Sequence, residues 1–374
     1  MKKADIGIVG GGLAGLTAAI HLASRGLKVL LFEKEEYPHH KVCGEYLSRE
    51  ILPYLESLNI SLDSLDPKII DQLLYTTPSG KTIKTDLKSG GIGISRYALD
   101  NYLYEKAREL NVQIIQQTVS IITFEDEVFE MSTSENQVFS AKIVLGAFGK
   151  RSSLDKKLNR EFIKKKSGWL AVKAHYKLDD YPENRVSLHN FKGGYCGLSK
   201  TETGAVNVCY LASYESFKDY KNIDSYKVEV LCKNPQLKTF FAEAVPLFET
   251  DVSIAQISFE KKSLVEDHIL MLGDAAGLIH PLCGNGMAMA FHSAKLASES
   301  ILKYNNTNAF SRNKIEKEYI EKWDQQFKSR MKIGSALQKI LLTPVLAETS
   351  QNLIKMFPSL LPFIITKTHG KPVI

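Results

Sequence analysis

Apolar and polar positions along the chain predict most of its framework before any motif is read. Residues 5–9 are an apolar, β-branched run that three glycines interrupt, and Leu13, Leu16, Ala19, Ile20 and Ala23 then recur at helical spacing. This predicts strand, tight turn and helix. Gly26 stops that helix, and residues 28–32 form a second continuous apolar run, as expected of a parallel strand buried on both faces. A helix is expected over 48–58, two strands over 69–86 around a turn at Pro78, Ser79 and Gly80, and a helix after Arg96 with Leu99, Leu103 and Ala107 on one face. Strands follow at 112–115, in a meander over 119–141, and at 142–147, where the chain returns to the first sheet. From about 169 to 259 the pattern alternates, which predicts an antiparallel sheet with one covered face. One more buried parallel-type strand is expected at 269–272, with helices over 287–302 and 311–342. The resulting division is a first domain in three parts (1–75, 96–165 and 261–302), a second domain made of a hairpin (76–95) and a sheet (166–260), and a helical region over 303–374.

The first turn carries chemistry. Gly10, Gly12 and Gly15 have G-x-G-x-x-G spacing: the first permits the turn, the second lets backbone approach a pyrophosphate, and the third lets helix pack closely on strand. The helix then opens at Leu13 and Ala14, with free N–H groups and positive dipole toward the phosphates. Glu33, 18 residues after Gly15, ends the second strand where a carboxylate accepts from a ribose hydroxyl pair. Strand, glycine turn, helix, strand and acid together predict a Rossmann-like dinucleotide site. A second segment, residues 270–296, fits the same plan. Its strand ends at Gly273, Asp274 suits a ribitol or ribose hydroxyl, and loop 281–286 opens a helix toward the pyrimidine edge of a flavin.

Composition narrows the setting. The 374 residues are 44% hydrophobic and 24% charged, ordinary for a globular protein, and no uninterrupted apolar run reaches about 18 residues, so no transmembrane helix is expected. The basic start Met1-Lys2-Lys3 leads into the glycine-turn strand, which argues against a signal peptide. Five cysteines without C-x-x-C spacing speak against a disulfide framework and a zinc site; a reducing cytoplasm is the expected compartment, and no metal is expected. The net charge of +6 is spread out, unlike a nucleic-acid surface, so no nucleic-acid partner is expected.

The segments together resemble the FAD-dependent oxidoreductase superfamily that includes p-hydroxybenzoate hydroxylase, and more closely the geranylgeranyl reductase family. The resemblance runs from residue 4 to about residue 300. It rests on the glycine turn, on KVCGE at 41–45, on Ser95-Arg96 with Leu99-Asp100, which is similar to S-R-x-x-L-D, and on GDAAG-x-x-x-P-x-x-G-x-G-M at 273–287. It implies an α/β fold: a Rossmann-like FAD-binding domain of glutathione-reductase type, an inserted antiparallel β-sheet substrate domain and C-terminal helices. It implies FAD as cofactor, held by the glycine-turn residues, by Glu33 and Lys34, and by Lys41 and Arg96. Gly273, Asp274, Pro281, Gly284, Gly286 and Met287 complete that set. Glu45, Tyr195 and Gly197 are expected at the substrate. The implied reaction is reduction of carbon–carbon double bonds in a hydrophobic, isoprenoid-like molecule. Hydroxylation of an aromatic or polyketide-like metabolite is the alternative, and a non-enzymatic flavin-bearing lipid binder is a third reading.

Two departures bear on these expectations. Phe148 stands in G-A-F-G where the superfamily has Asp, so the electron donor is either NAD(P)H or a donor protein. Residues 195–199, YCGLS, occupy the place of the reductases' Y-x-W-x-F-P without its Trp, Phe and Pro, and no halogenase-type W-x-W-x-I-P is present. Cys43 reads as a proton donor or flavin contact, or else as a small packing residue. His280 reads as a proton carrier or a structural histidine. Cys283 is a candidate redox partner of Cys43, Lys41 and Glu45 are candidates for a loop ion pair, and His39 and His40 are expected to be exposed. The Pro-broken apolar stretch 340–366 reads as helices on the core, or as a cap or peripheral contact at the inner face of a membrane.

Overall fold

A computed structural model of the chain describes residues 2–220, 222–280, 284–305, 310–343, 346, 349 and 370–374. Strand β1 (Lys2–Val9), helix α1 (Leu13–Ala23) and strand β2 (Val29–Phe32) form the predicted unit, with β1 and β2 parallel and Ile6 opposite Val29. All of α1 from Leu13 to Leu22 is buried, so its apolar character on every side reflects a helix covered on every side. The chain then leaves this sheet through β3 (Tyr46–Ser48), α2 (Leu52–Ser57), the hairpin β4 (Lys68–Thr76) and β5 (Thr82–Gly93), and α3 (Arg96–Glu109). Strand β6 (Gln113–Ile115) rejoins β2 in parallel. The meander β7 (Val119–Glu125), β8 (Val128–Thr133) and β9 (Val138–Gly146) ends with β9 parallel to β1.

Helix α4 (Ser153–Lys157) leads into β10 (Trp169–Lys177), β11 (Arg185–Phe191), β12 (Gly194–Lys200) and β13 (Val206–Ser213). Short helices α5 (Tyr214–Phe217), α6 (Ile223–Glu229) and α7 (Pro235–Glu243) precede the edge strands β14 (Val245–Pro246) and β15 (Val252–Ile257). The chain closes the first sheet with β16 (Val265–Glu266) and β17 (Ile269–Met271), then packs α8 (Gly286–Asn305) on α1 and α9 (Arg312–Leu342) on α8. The first sheet runs β16-β17-β9-β1-β2-β6, and the second runs β14-β10-β13-β12-β11-β4-β5-β3 with β15 also on β10.

Two features differ from the sequence reading. The second sheet is mixed, because β11 lies parallel to β4 with Val186 opposite Leu73. The first boundary also moves: β3 and the whole of β4 pair in the second sheet, so its share of the chain begins well before residue 76. A hairpin satisfies its own ladder, but its free edge is closed only by a strand more than a hundred residues later. The apolar stretch 340–366 lies almost wholly outside the described residues; among those described, no helix is long and apolar enough to cross a membrane.

Arg160 ties the first domain's segments together from a position 1% exposed. Its guanidinium donates to Asp155 Oδ1 (2.8 Å) and to the carbonyls of Ser263 (2.8 Å) and Ala275 (2.9 Å). Asp155 in turn completes a capping box with Ser152 at the start of α4. Replacing Arg160 strands a buried carboxylate and two carbonyls, so Arg160→Met is expected to lower unfolding free energy by about 3–5 kcal/mol. Urea denaturation monitored by circular dichroism measures this, and a loss below about 1 kcal/mol would contradict the assignment.

Candidate functional site

A cavity of about 870 Å³ lies between the glycine turn, the 147–154 segment, the start of α8 and the inner face of the second sheet. The three motif glycines serve it differently. Gly10 has φ +110°, and a Cβ there would run into Ala147 O; a Cβ at Gly15 would run into Gly10 O. Both are imposed by protein contacts. Gly12 has an ordinary extended backbone, and the nearest atom to its Cβ position is Arg96 Nη2 at 3.6 Å. Only what enters the cavity requires glycine there. Gly12 is also the N-cap of α1 without a side-chain cap, and Leu13 and Ala14 follow it along the wall. The first-turn N–H groups are thus left for an anion.

Beside this turn, Glu33 accepts N–H bonds from Gly11 (2.8 Å), Lys34 (2.9 Å) and Glu35 (3.2 Å). Lys34 adds an exposed ion pair with Glu35. The Tyr37 hydroxyl donates to Gly11 O. Lys41 reaches Asp100 at 3.0 Å and Glu33 at 3.9 Å, and Arg96 grips Asp100 with two bonds of 2.6 and 2.7 Å. Burial alone would raise the Asp100 pKa, but Arg96 and Lys41 hold it below the ordinary carboxylate range. Arg96 and Lys41 balance Asp100 and Glu33, so the turn carries no excess charge, and the α1 N–H groups with the nearby Arg96 guanidinium are what suit a pyrophosphate.

On the opposite wall, Gly273 (φ +55°) donates its N–H to Ser293 Oγ (2.8 Å), and Asp274 faces Lys150 Nζ at 3.5 Å. Lys262 was not anticipated. Nearly buried, it donates to the carbonyls of Lys150 (2.9 Å) and Asp274 (2.7 Å), so it clamps the two cofactor segments together. Burial lowers its pKa to about 8 despite the nearby carboxylates. Gly284 (φ +63°), Gly286 and Met287 line the cavity where α8 begins. Pro281 and Cys283 lie outside the described residues, and with them the proposed Cys43–Cys283 pairing.

Toward the second sheet the lining becomes apolar. Ile254, Ala171, Leu211 and Tyr195 lie side by side on β15, β10, β13 and β12, and Cys209, Gly197 and Leu188 continue onto β11. Val186 on β11 and Leu73 opposite it on β4 complete the row. Cys43 faces the same space, with its Sγ 3.4 Å from Glu45 N and its carbonyl held by Asn207 Nδ2 at 3.2 Å. Burial pushes the Cys209 thiol up to about 12, so it is not a thiolate at neutral pH.

Several sequence assignments change. Glu45 (φ +53°), expected at the substrate, does line the cavity, but its carboxylate is fully buried on Lys173 Nζ (2.5 Å), His175 Nε2 (2.7 Å) and Arg96 N (2.7 Å). Lys41 and Glu45 therefore pair with other residues, not with each other. His280 does not line the cavity; it packs behind it on Tyr195 and Phe259, and burial lowers its pKa to about 3, so it stays neutral. His39 lines the cavity and His40 is half-buried against Tyr97, His175 and Phe248, so neither is simply exposed. Lys173 and His175 were missed, although both are chargeable residues at alternate positions within the buried part of the strand WLAVKAHYK.

The glycine reasoning predicts two separable phenotypes. Gly12→Val leaves the apoprotein within about 1 kcal/mol of wild type but abolishes flavin retention, whereas Gly15→Ala destabilises the fold by about 1–3 kcal/mol through overpacking. Absorbance of purified protein and thermal melting of the apo forms check this; a Gly12→Val protein that remains fully yellow would refute it.

The FAD binding domain family model matches residues 3–307. The chain is 26% identical to digeranylgeranylglycerophospholipid reductase of Methanocaldococcus jannaschii, covering 90% of this chain and 87% of that protein. It is 23% identical to conditioned medium factor receptor 1 of Dictyostelium discoideum, over 94% of this chain and 73% of the receptor. A solved structure of a geranylgeranyl bacteriochlorophyll reductase-like protein from Thermoplasma acidophilum shares the fold with a TM-score of 0.75 at 20% identity, covering 92% and 88% of the two chains. These similarities agree with the hydroxylase superfamily and its geranylgeranyl reductase branch. The chain belongs to the FAD binding domain family, and it is an FAD-dependent oxidoreductase.

Proposed function

We propose that the protein reduces carbon–carbon double bonds of an elongated, hydrophobic, isoprenoid-like substrate. The observation that carries this reading is the apolar row on the second sheet. From β15 to β4 it crosses five inter-strand gaps of about 4.8 Å, which makes about 24 Å of trough opening into the cofactor cavity. A long apolar molecule buries its length there, whereas a compact polar metabolite leaves most of it wet. The archaeal relative's name, a lipid reductase, supports the same class of substrate.

Bound FAD supplies the two-electron chemistry, with electrons entering from NAD(P)H or an electron-donor protein. The chain's residues do the rest. Gly12, Arg96 and Lys41 anchor the anionic end, and the trough orients the alkene and excludes water. Cys43 holds a proton at Sγ beside Glu45 N and delivers it to the carbon opposite the one receiving hydride.

Anaerobic incubation of the dithionite-reduced protein with geranylgeraniol is expected to give a product heavier by two hydrogens in mass spectra. A product heavier by one oxygen, formed only in air, would replace this reading with hydroxylation; binding without any turnover would leave a lipid carrier. Cys43→Ala is expected to keep FAD and lose roughly a hundredfold or more in turnover. Unchanged turnover would make the thiol a packing group.

A further inference from the structure

The other strand glycines of the described residues have a local reason to be glycine. A Cβ at Gly7, Gly91, Gly93, Gly146 or Gly194 would run into another atom, and Gly90 has φ +60°. Gly197 has neither reason. Its φ is not positive, and the nearest atoms to its Cβ position are Cys209 O and Leu188 Cδ2, both at an ordinary 3.7 Å. Glycine inside a strand costs stability relative to alanine, because it loses more backbone entropy and packs nothing. Here that loss gains the fold nothing. What it leaves is a gap facing the cavity, on β12 within the apolar row, between Cys209 on one side and Leu188 on the other.

We propose that Gly197 is a specificity-determining residue: it keeps the trough open at mid-sheet, so that one apolar chain lies continuously across β13, β12 and β11. This rests on the reading that an elongated apolar substrate enters the cavity, and it adds which residue sets the accepted length. A side chain at 197 divides the trough into a part beside Tyr195 and Leu211 and a part beside Leu188, Val186 and Leu73. Short substrates still fit one part; long ones fit neither.

Two variants of the FAD-loaded protein test this. Gly197→Ala is expected to raise the melting temperature by roughly 1–2 °C, since no contact opposes the methyl group. A fall instead shows that the fold itself demands glycine and overturns the proposal without reference to any substrate. Titration with geraniol, farnesol and geranylgeraniol, followed by perturbation of the flavin absorbance, provides the second measurement. Wild type is expected to bind more tightly with each added isoprene unit. Gly197→Leu is expected to retain FAD, to bind geraniol within about twofold of wild type, and to lose roughly tenfold or more for geranylgeraniol. A parallel loss for all three alcohols, or no loss for any, overturns the proposal. If wild type binds none of the three, the substrate reading itself fails, an outcome distinct from a length-independent effect of the variant.

Discussion

The carboxylate of Glu45 is the interaction on which the site's geometry depends. It follows Cys43 and Gly44 on a loop of the cofactor domain, yet its partners Lys173 and His175 stand on β10 in the second sheet, and Arg96 N opens α3. A carboxylate with no solvent exposure is costly unless its lone pairs are filled, and here three donors fill them. Burial works to raise its pKa, but His175 and Lys173 hold it below the ordinary range. Its contribution is therefore present above the unfolded carboxylate value and fades as pH falls through the folded one. Because one group bonds to β10 of the second sheet and to the start of α3, the Cys43 loop, Arg96 and the apolar wall occupy fixed relative positions. The left-handed backbone of Glu45 is the strain accepted for that placement.

How much of this was legible in the sequence follows from distance along the chain. The β1-turn-α1-β2 unit was readable because its determinants are local: apolar period, glycine spacing and a terminal acid fall within one stretch. The meander and β17 were readable for the same reason. Glu45 was not, since its partners lie 128 and 130 residues away, and a loop glutamate beside a lysine reads most simply as a surface pair. Its signal was on the other strand, where Lys173 and His175 interrupt an apolar run at alternate positions and need a buried acid. The parallel pairing of β4 with β11 was likewise hidden, because a hairpin's local pattern carries no sign of which distant strand closes its free edge.

Lys262 makes a similar point at the cofactor end. No motif contains it, yet it holds the carbonyls of Lys150 and Asp274, one from each segment that the family's motifs do contain. Motif residues face the ligand, while the groups that keep two motifs in register bond to backbone carbonyls, which every residue type possesses. Such positions leave no pattern in the segments they join.

The two ends of the cavity are specified by different physics, and this explains why the cofactor was easier to name than the substrate. At the glycine turn, directional bonds and steric prohibitions fix residue types: Gly10 and Gly15 by overlap, Arg96 by its two-bond grip on Asp100. Few sequences satisfy those conditions, so the stretch is recognisable. Along the second sheet the requirement is only volume and apolarity, which Ile254, Leu211, Leu188 and Val186 meet as any strand residues would. An apolar trough therefore reads in sequence as ordinary sheet core, and its distinguishing mark is a residue where core logic fails. Gly197 is such a residue, because a packed strand interior favours at least a methyl group there.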